Sequence, residues 1–146
     1  MTTPLQGQAV AEQIAHHFPE AIIEATDLAI VVRSDALLPV AQFLHSTPGL
    51  DFDYLNNVTA VDYFDYFEVV YHLSSLKHNH SLVLKTRAYG RENPAVPSLS
   101  SIWRGAELQE REVYDLMGVS FTGHPNLKRL FLWEGFPGHP LRKDFL

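Results

Sequence analysis

Three apolar, aromatic-rich runs follow one another with almost no chain between them: Tyr54–Tyr63, Phe67–Leu76 and Ser81–Tyr89. They are joined by Phe64-Asp65-Tyr66 and by Lys77-His78-Asn79-His80. A parallel pair needs a crossover of a dozen or more residues, and connections this short suit antiparallel pairing. The runs are rich in Val, Tyr and Phe, which fit a pleated, half-buried surface. A sheet of this kind must bury at least one face, and the rest of the chain has to supply the cover.

That cover is legible on both sides. In residues 5–18, Val10, Ile14 and Phe18 recur every fourth position beside Ala11, and Pro19 stops further winding, so the pattern predicts a helix. Ala21–Ala25 and Leu28–Val32 read as two strands around Thr26-Asp27. Ser34 is the expected N-cap of a second helix, whose apolar face is Leu37, Leu38, Ala41 and Leu44 and which Thr47-Pro48-Gly49 ends. Gly90–Pro97 reads as a loop, Ser98 as the cap of a third helical region ended by Gly118, and Val119-Ser120-Phe121 as a short strand. Interspersed strands and helices with hairpin-length turns predict an α+β class. The expected architecture is a two-layer domain, with a largely antiparallel or mixed sheet packed by helices, plus an extended C-terminal tail. The expected division is residues 1–122 for the domain and 123–146 for the tail. With 146 residues the chain can bury roughly two-thirds of its unfolded surface in one core.

Composition removes several function classes. There is no cysteine, so disulfides, thiolate zinc sites, iron–sulfur ligation by this chain and cysteine nucleophiles are excluded. Net charge is -6, and all of the imbalance lies in residues 1–100. An acidic chain without a basic stripe is a poor nucleic-acid binder. No apolar run approaches the length of a membrane span. The start, Met1-Thr2-Thr3-Pro4, lacks the features of a signal peptide. A soluble cytoplasmic protein is expected, meeting a membrane only through a partner. The sequence carries no Walker A loop, no G-x-G-x-x-G, no G-x-S-x-G and no H-E-x-x-H.

Few residues invite chemistry. His78 and His80 are spaced to share a strand face, but two imidazoles are too few for zinc, and a polar hairpin turn is the simpler reading. Asp51, Asp53, Asp62, Asp65 and Glu68 form an acidic stretch best read as solvated loop and sheet-edge charges. A free-standing metal-dependent hydrolase is the competing class, and the scatter of His and acids disfavours it. The informative segment comes later. Glu107–Gly118 reads as a helix with a glycine stop, and Glu107–Arg111 and Arg111–Asp115 are potential i,i+4 pairs. Glu110 falls on the apolar stripe of Ala106, Val113 and Met117 and needs a partner, for which Lys128, Arg129, Arg142 and Lys143 are candidates. The tail is apolar and aromatic yet too broken by Gly and Pro to form its own core. It must lie along a surface, either its own domain's or a partner's. Trp133, Phe131, Phe136 and Phe145 would be the anchors, and Arg129 and Arg142 the forked polar contacts.

Three blocks carry a family resemblance: Glu110-Arg111-Glu112-Val113-Tyr114-Asp115-Leu116-Met117-Gly118, then Gly123-His124-Pro125-Asn126-Leu127-Lys128-Arg129-Leu130, then Gly138-His139-Pro140-Leu141-Arg142-Lys143-Asp144-Phe145. Together they resemble the signature of the C-type subunit of NADH-quinone oxidoreductase, respiratory complex I. Phe67-Glu68-Val69-Val70-Tyr71-His72-Leu73 resembles the family's central sheet. The resemblance implies a non-redox subunit of the peripheral arm, at the cytoplasmic face of the cell membrane, in a complex that couples NADH oxidation to quinone reduction and proton translocation. It implies no cofactor in this chain, with flavin and iron–sulfur clusters in partner subunits. Its implied partners are the large D-type subunit, which helps form the quinone site, and neighbouring iron–sulfur subunits. The motif residues Glu110, Arg111, Glu112, Tyr114, Asp115 and Gly118, then His124, Pro125 and Arg129, then Gly138, His139, Pro140, Leu141, Arg142, Lys143 and Asp144 are expected at the partner interface, with no catalytic or metal-binding role. Membrane-bound energy-converting hydrogenases and ferredoxin-fed quinone oxidoreductases contain equivalent subunits and are the alternative setting.

Overall fold

The computed structural model describes residues 3–129, 132–133 and 137–143. A two-residue strand, β1 (Thr3–Pro4), leads into α1 (Gly7–His17). Val10, Ala11 and Ile14 form the buried stripe of α1. A Cβ on Gly7 would sit 2.2 Å from the Thr26 carbonyl oxygen, so α1 enters against the following turn where only glycine fits. β2 (Ile22–Ala25) and β3 (Ala29–Val32) form a hairpin. A 3-10 turn over Ser34–Ala36 precedes α2 (Leu37–Ser46). Ser34 is therefore not the cap: it lies inside the 3-10 turn, and its side chain makes no capping bond because the chain tightens before the α-helix begins.

The three opening runs become β4 (Tyr54–Asp62), β5 (Tyr66–Ser75) and β6 (His80–Tyr89), paired antiparallel in sequence. The sheet order is β2-β3-β6-β5-β4, and β1 lines up on β6 beyond the end of β3. Both β1 and β3 pair parallel with β6, so the sheet is mixed. The Gly90–Pro97 segment expected as a loop contains β7 (Ala95–Pro97), which pairs parallel with β8 (Ser120–Thr122). Its strand character depends on a partner twenty-five residues away in sequence, which local pattern cannot show. Between them lies α3 (Ala106–Met117). Ser98 does not cap this helix; turns occupy the intervening chain, and the Ser98 hydroxyl goes elsewhere.

One core joins the three helices to the sheet. Ile14, Leu37, Leu44, Leu99, Val113 and Met117 meet Ile30, Val32, Val69, Tyr71, Leu82 and Leu84. Ile22 is only partly buried, on the edge strand β2. The expected α+β two-layer class is what forms. Among the described residues no helix is long and apolar enough to cross a membrane.

Candidate functional site

A helix ends with four carbonyls that lack partners and with the negative end of its dipole. α3 carries no basic residue in its last turn. The tail supplies what is missing. Arg129 donates from Nε to the Asp115 carboxylate (2.5 Å) and from Nη2 to the Asp115 carbonyl (2.7 Å) and the Gly138 carbonyl (2.7 Å). His139 Nδ1 donates to the Asp115 carbonyl (3.0 Å), and the Leu141 amide to the Leu116 carbonyl (2.9 Å). Arg142 Nε donates to the Met117 carbonyl (2.6 Å). Arg111 reaches the other way, donating to the carbonyls of Lys128 (3.1 Å) and Arg129 (3.2 Å) rather than to Glu107 or Asp115 on its own helix. The three motif blocks thus form one latch, in which each strand of backbone is satisfied by the other's guanidinium groups.

Gly118 lets the latch close. Its φ of +78° is the left-handed cap conformation. A Cβ there would also lie 2.5 Å from Arg142 Nη2 and 2.7 Å from the His139 ring. The φ favours glycine outright, and the second contact adds to it because Arg142 and His139 are held by their bonds to the helix end.

A second junction ties the latch to the sheet. Asp62, expected among solvated charges, is 3% exposed. Its carboxylate takes Arg91 through both oxygens (2.5 and 2.9 Å), the Phe64 amide (2.8 Å) and the Lys143 amide (3.0 Å). The Arg91 guanidinium beside Asp62 holds its carboxyl well below the usual carboxylate range, against the opposing effect of burial, and the two amides add to it. Arg142 donates to the Arg91 carbonyl (2.9 Å), and the guanidinium carbons of Arg91 and Arg142 lie 4.8 and 4.9 Å from the centre of the buried Phe67 ring. Glu68, also expected to be solvated, is buried beside Lys85 (3.3 Å). Strand alternation through Val58, Ala60 and Asp62 carries the signal that Asp62 faces inward.

Glu110 does not meet any of the expected cations. It is fully buried and accepts from the Ser98 hydroxyl (2.6 Å) and the Leu99 amide (2.9 Å). His124 Nε2 lies 4.0 Å away but is committed to the Glu107 carbonyl (2.8 Å), while its Nδ1 accepts the Asn126 amide (2.9 Å). Burial pushes the Glu110 carboxyl up to about 7, against the lowering effect of its two donors. The Tyr71 phenol is buried nearby and pushed well above its usual value by burial and then by Glu110.

The remaining motif residues face outward. Glu112, Pro125, Gly138, Leu141 and Lys143 are exposed, and Tyr114 and Pro140 are half-buried. The Tyr114 ring lies tilted against His139, with ring centres 6.3 Å apart. Asp144 and the anchors Phe131, Phe136 and Phe145 lie outside the described residues. Trp133 is 64% exposed. His78, in the turn, pairs with Asp51 (2.7 Å), whereas His80 opens β6, is buried and donates to the Leu50 carbonyl (2.7 Å), so the polar-turn reading holds for His78 alone. Among the described residues no group of three or more His, Asp and Glu is arranged to hold a metal.

The geometry is that of a bonded scaffold whose outward side mixes Trp133 and Leu141 with Glu112 and Lys143. Residues 30–146 match the family model described as respiratory-chain NADH dehydrogenase, 30 Kd subunit. The C-type subunit of NADH-quinone oxidoreductase from Roseiflexus sp. (strain RS-1) is 42% identical, over 96% of this chain and 84% of that protein. The mitochondrial NADH dehydrogenase [ubiquinone] iron-sulfur protein 3 of Candida albicans is 45% identical, over 82% of this chain and 43% of that protein. A chain of the archaeal membrane-bound sulfane sulfur reductase superposes with a TM-score of 0.76 at 25% identity, covering 94% of this chain and 84% of that one. The chain therefore belongs to the respiratory-chain NADH dehydrogenase 30 Kd subunit family, the family of the C-type subunits of NADH-quinone oxidoreductase.

Proposed function

We propose that this chain is a non-redox subunit of the peripheral arm of a proton-translocating NADH-quinone oxidoreductase. It packs on the large D-type subunit, beside iron–sulfur subunits, at the cytoplasmic face of the membrane, which it meets only through the complex. Flavin and iron–sulfur clusters belong to its partners, and the isolated chain carries out no redox step. One observation carries the reading: the family blocks converge on a single latch in which Arg111, Arg129 and Arg142 are engaged with backbone and Asp115, while Trp133 and Leu141 are 64% and 61% exposed. Such a surface is suited to docking rather than to turning over a substrate.

The test is purification of the complex through a tag on this chain. The large D-type subunit and the cluster-bearing subunits should co-purify, with NADH-driven quinone reduction lost on deletion of the chain and restored by its return. The chain purified alone should show no NADH oxidation, no flavin and no iron. Flavin or iron in stoichiometric amount on the pure chain, or its purification without partners, overturns the reading. The likeness to a chain of another respiratory membrane complex, the sulfane sulfur reductase, supports a second setting in a related complex, for which a membrane-bound energy-converting hydrogenase or a ferredoxin-fed quinone oxidoreductase is our alternative. A purified complex that accepts electrons from reduced ferredoxin but not from NADH selects it.

A further inference from the structure

The tip of the β4–β5 hairpin turns through Phe64 in a backbone conformation that bulky residues rarely adopt. Its φ is +69°, a left-handed setting that is a true outlier for a bulky residue. The setting is held in place. Asp62 Oδ1 accepts the Phe64 amide (2.8 Å), and the Asp65 amide donates to the Tyr63 carbonyl (2.8 Å). The ring gains little in return, since it is 55% exposed, with Tyr63 beside it at 46%. Cations collect around it on a chain whose net charge is -6. The Arg91 guanidinium lies 5.3 Å from the ring centre and the Lys143 ammonium 5.6 Å.

We infer that Phe64, flanked by Lys143, is a second docking point, inserted into an apolar pocket rimmed by carboxylates on a neighbouring subunit. This rests on the reading of the chain as a subunit of an assembled complex. Strain held at an exposed aromatic is repaid where the ring is buried against something else, and rigid aromatics in desolvated pockets dominate interfaces. The flanking positive charge selects an acidic rim. A protein partner fits better than an anionic lipid surface. Arg91 is spent on the buried Asp62, and a single exposed Phe beside one ammonium falls short of the several basic and apolar groups that membrane binding requires. Because the Lys143 amide also binds Asp62, the hairpin tip and Lys143 are held side by side.

The experiment uses the whole complex, purified through a tag on another subunit and washed at stepped sodium chloride concentrations. Retention of this chain is read with wild type, Phe64→Gly and Lys143→Glu. Glycine removes the ring and relieves the positive φ, so the free chain should melt at the wild-type temperature or slightly above. Both variants should be released at lower salt than wild type, with affinity weakened about tenfold or more for Phe64→Gly, the loss expected of a buried aromatic anchor. Either variant retained like wild type overturns the inference. So does flotation of the wild-type chain on phosphatidylglycerol vesicles that Phe64→Gly abolishes, which assigns the ring to lipid. If wild type itself is absent from the complex, the subunit reading fails instead, and the two failures are distinguishable.

Discussion

Glu110 is, among the described residues, the buried carboxylate whose hydrogen bonds come from a hydroxyl and an amide rather than from a cation. Asp62 has Arg91, Asp115 has Arg129 and Glu68 has Lys85. The difference sets the sign of a pH effect. The Glu110 carboxyl is raised by burial from 4.5 to about 7, so its favourable contribution is complete below 4.5 and is lost as pH rises through 7. The total loss is about 3 kcal/mol, at 1.36 kcal/mol per pH unit. Thermal melting of the free chain between pH 5 and 8 should show this decline, and Glu110→Gln should flatten it and equal or exceed wild type at pH 8. A decline that survives in Glu110→Gln would assign it to other groups. Asp62 runs the other way: its stabilisation is present above the usual carboxylate range and fades only as acid protonates it, so the windows do not overlap. Arg129→Ala should be the costliest change in the latch. It leaves the fully buried Asp115 carboxylate without its cation, a loss of about 3–5 kcal/mol by the usual cost of breaking a buried pair. Arg129→Lys should recover only part, because one ammonium cannot span the Asp115 carboxylate, the Asp115 carbonyl and the Gly138 carbonyl together. Denaturant unfolding of both variants measures the difference.

At the scale of elements, α3 shows how a helix can be finished by chain outside it. Its last carbonyls take donors from residues 139–142, and its dipole is met by the guanidinium groups of Arg129 and Arg142 in the tail. Gly118 is where this closes, and two substitutions separate its two duties. If only the left-handed turn mattered, Gly118→Asn should be well tolerated, since Asn accepts positive φ. Because a Cβ would also press on Arg142 and His139, Asn and Ala should both destabilise the chain, Ala by more than the ~1 kcal/mol that its left-handed conformation costs alone, read as a lower melting temperature. An Asn variant as stable as wild type would show that the tail can shift aside. The hairpins behave differently. β4, β5 and β6 were legible because period-2 alternation and short turns suffice to specify antiparallel neighbours. β7 was not, because a three-residue strand has no pattern of its own and forms only where β8 offers its edge.

Across the whole molecule, Lys143 of the tail and the hairpin tip meet at Asp62, so the domain and the proposed docking surface are not independent parts. Ending the chain after Gly123 removes the Arg129–Asp115 pair, the caps on α3 and the Lys143–Asp62 bond together. The truncated chain should therefore melt at a lower temperature by itself, in addition to losing assembly. Calorimetry of the free truncated chain, beside co-purification with the complex, reads both. An unchanged melting temperature would show that the latch contributes only to docking.

The sequence alone determined the α+β class, the antiparallel middle of the sheet, most of the core and the family, because each rests on short-range periodicity or on contiguous blocks of residues. It also marked Gly118 as a helix stop and the tail as a segment that must lie on a surface. Tertiary structure decided which charges meet. Glu110 drew a hydroxyl and an amide rather than any of the four cations nearby in sequence, while Arg129 took Asp115 and Arg142 took backbone carbonyls. Asp62 became a junction rather than a solvated acid. The physical reason is common to all of these: a buried polar group is satisfied by whichever donor the packing of distant elements brings within about 3 Å, and neither composition nor periodicity encodes that distance.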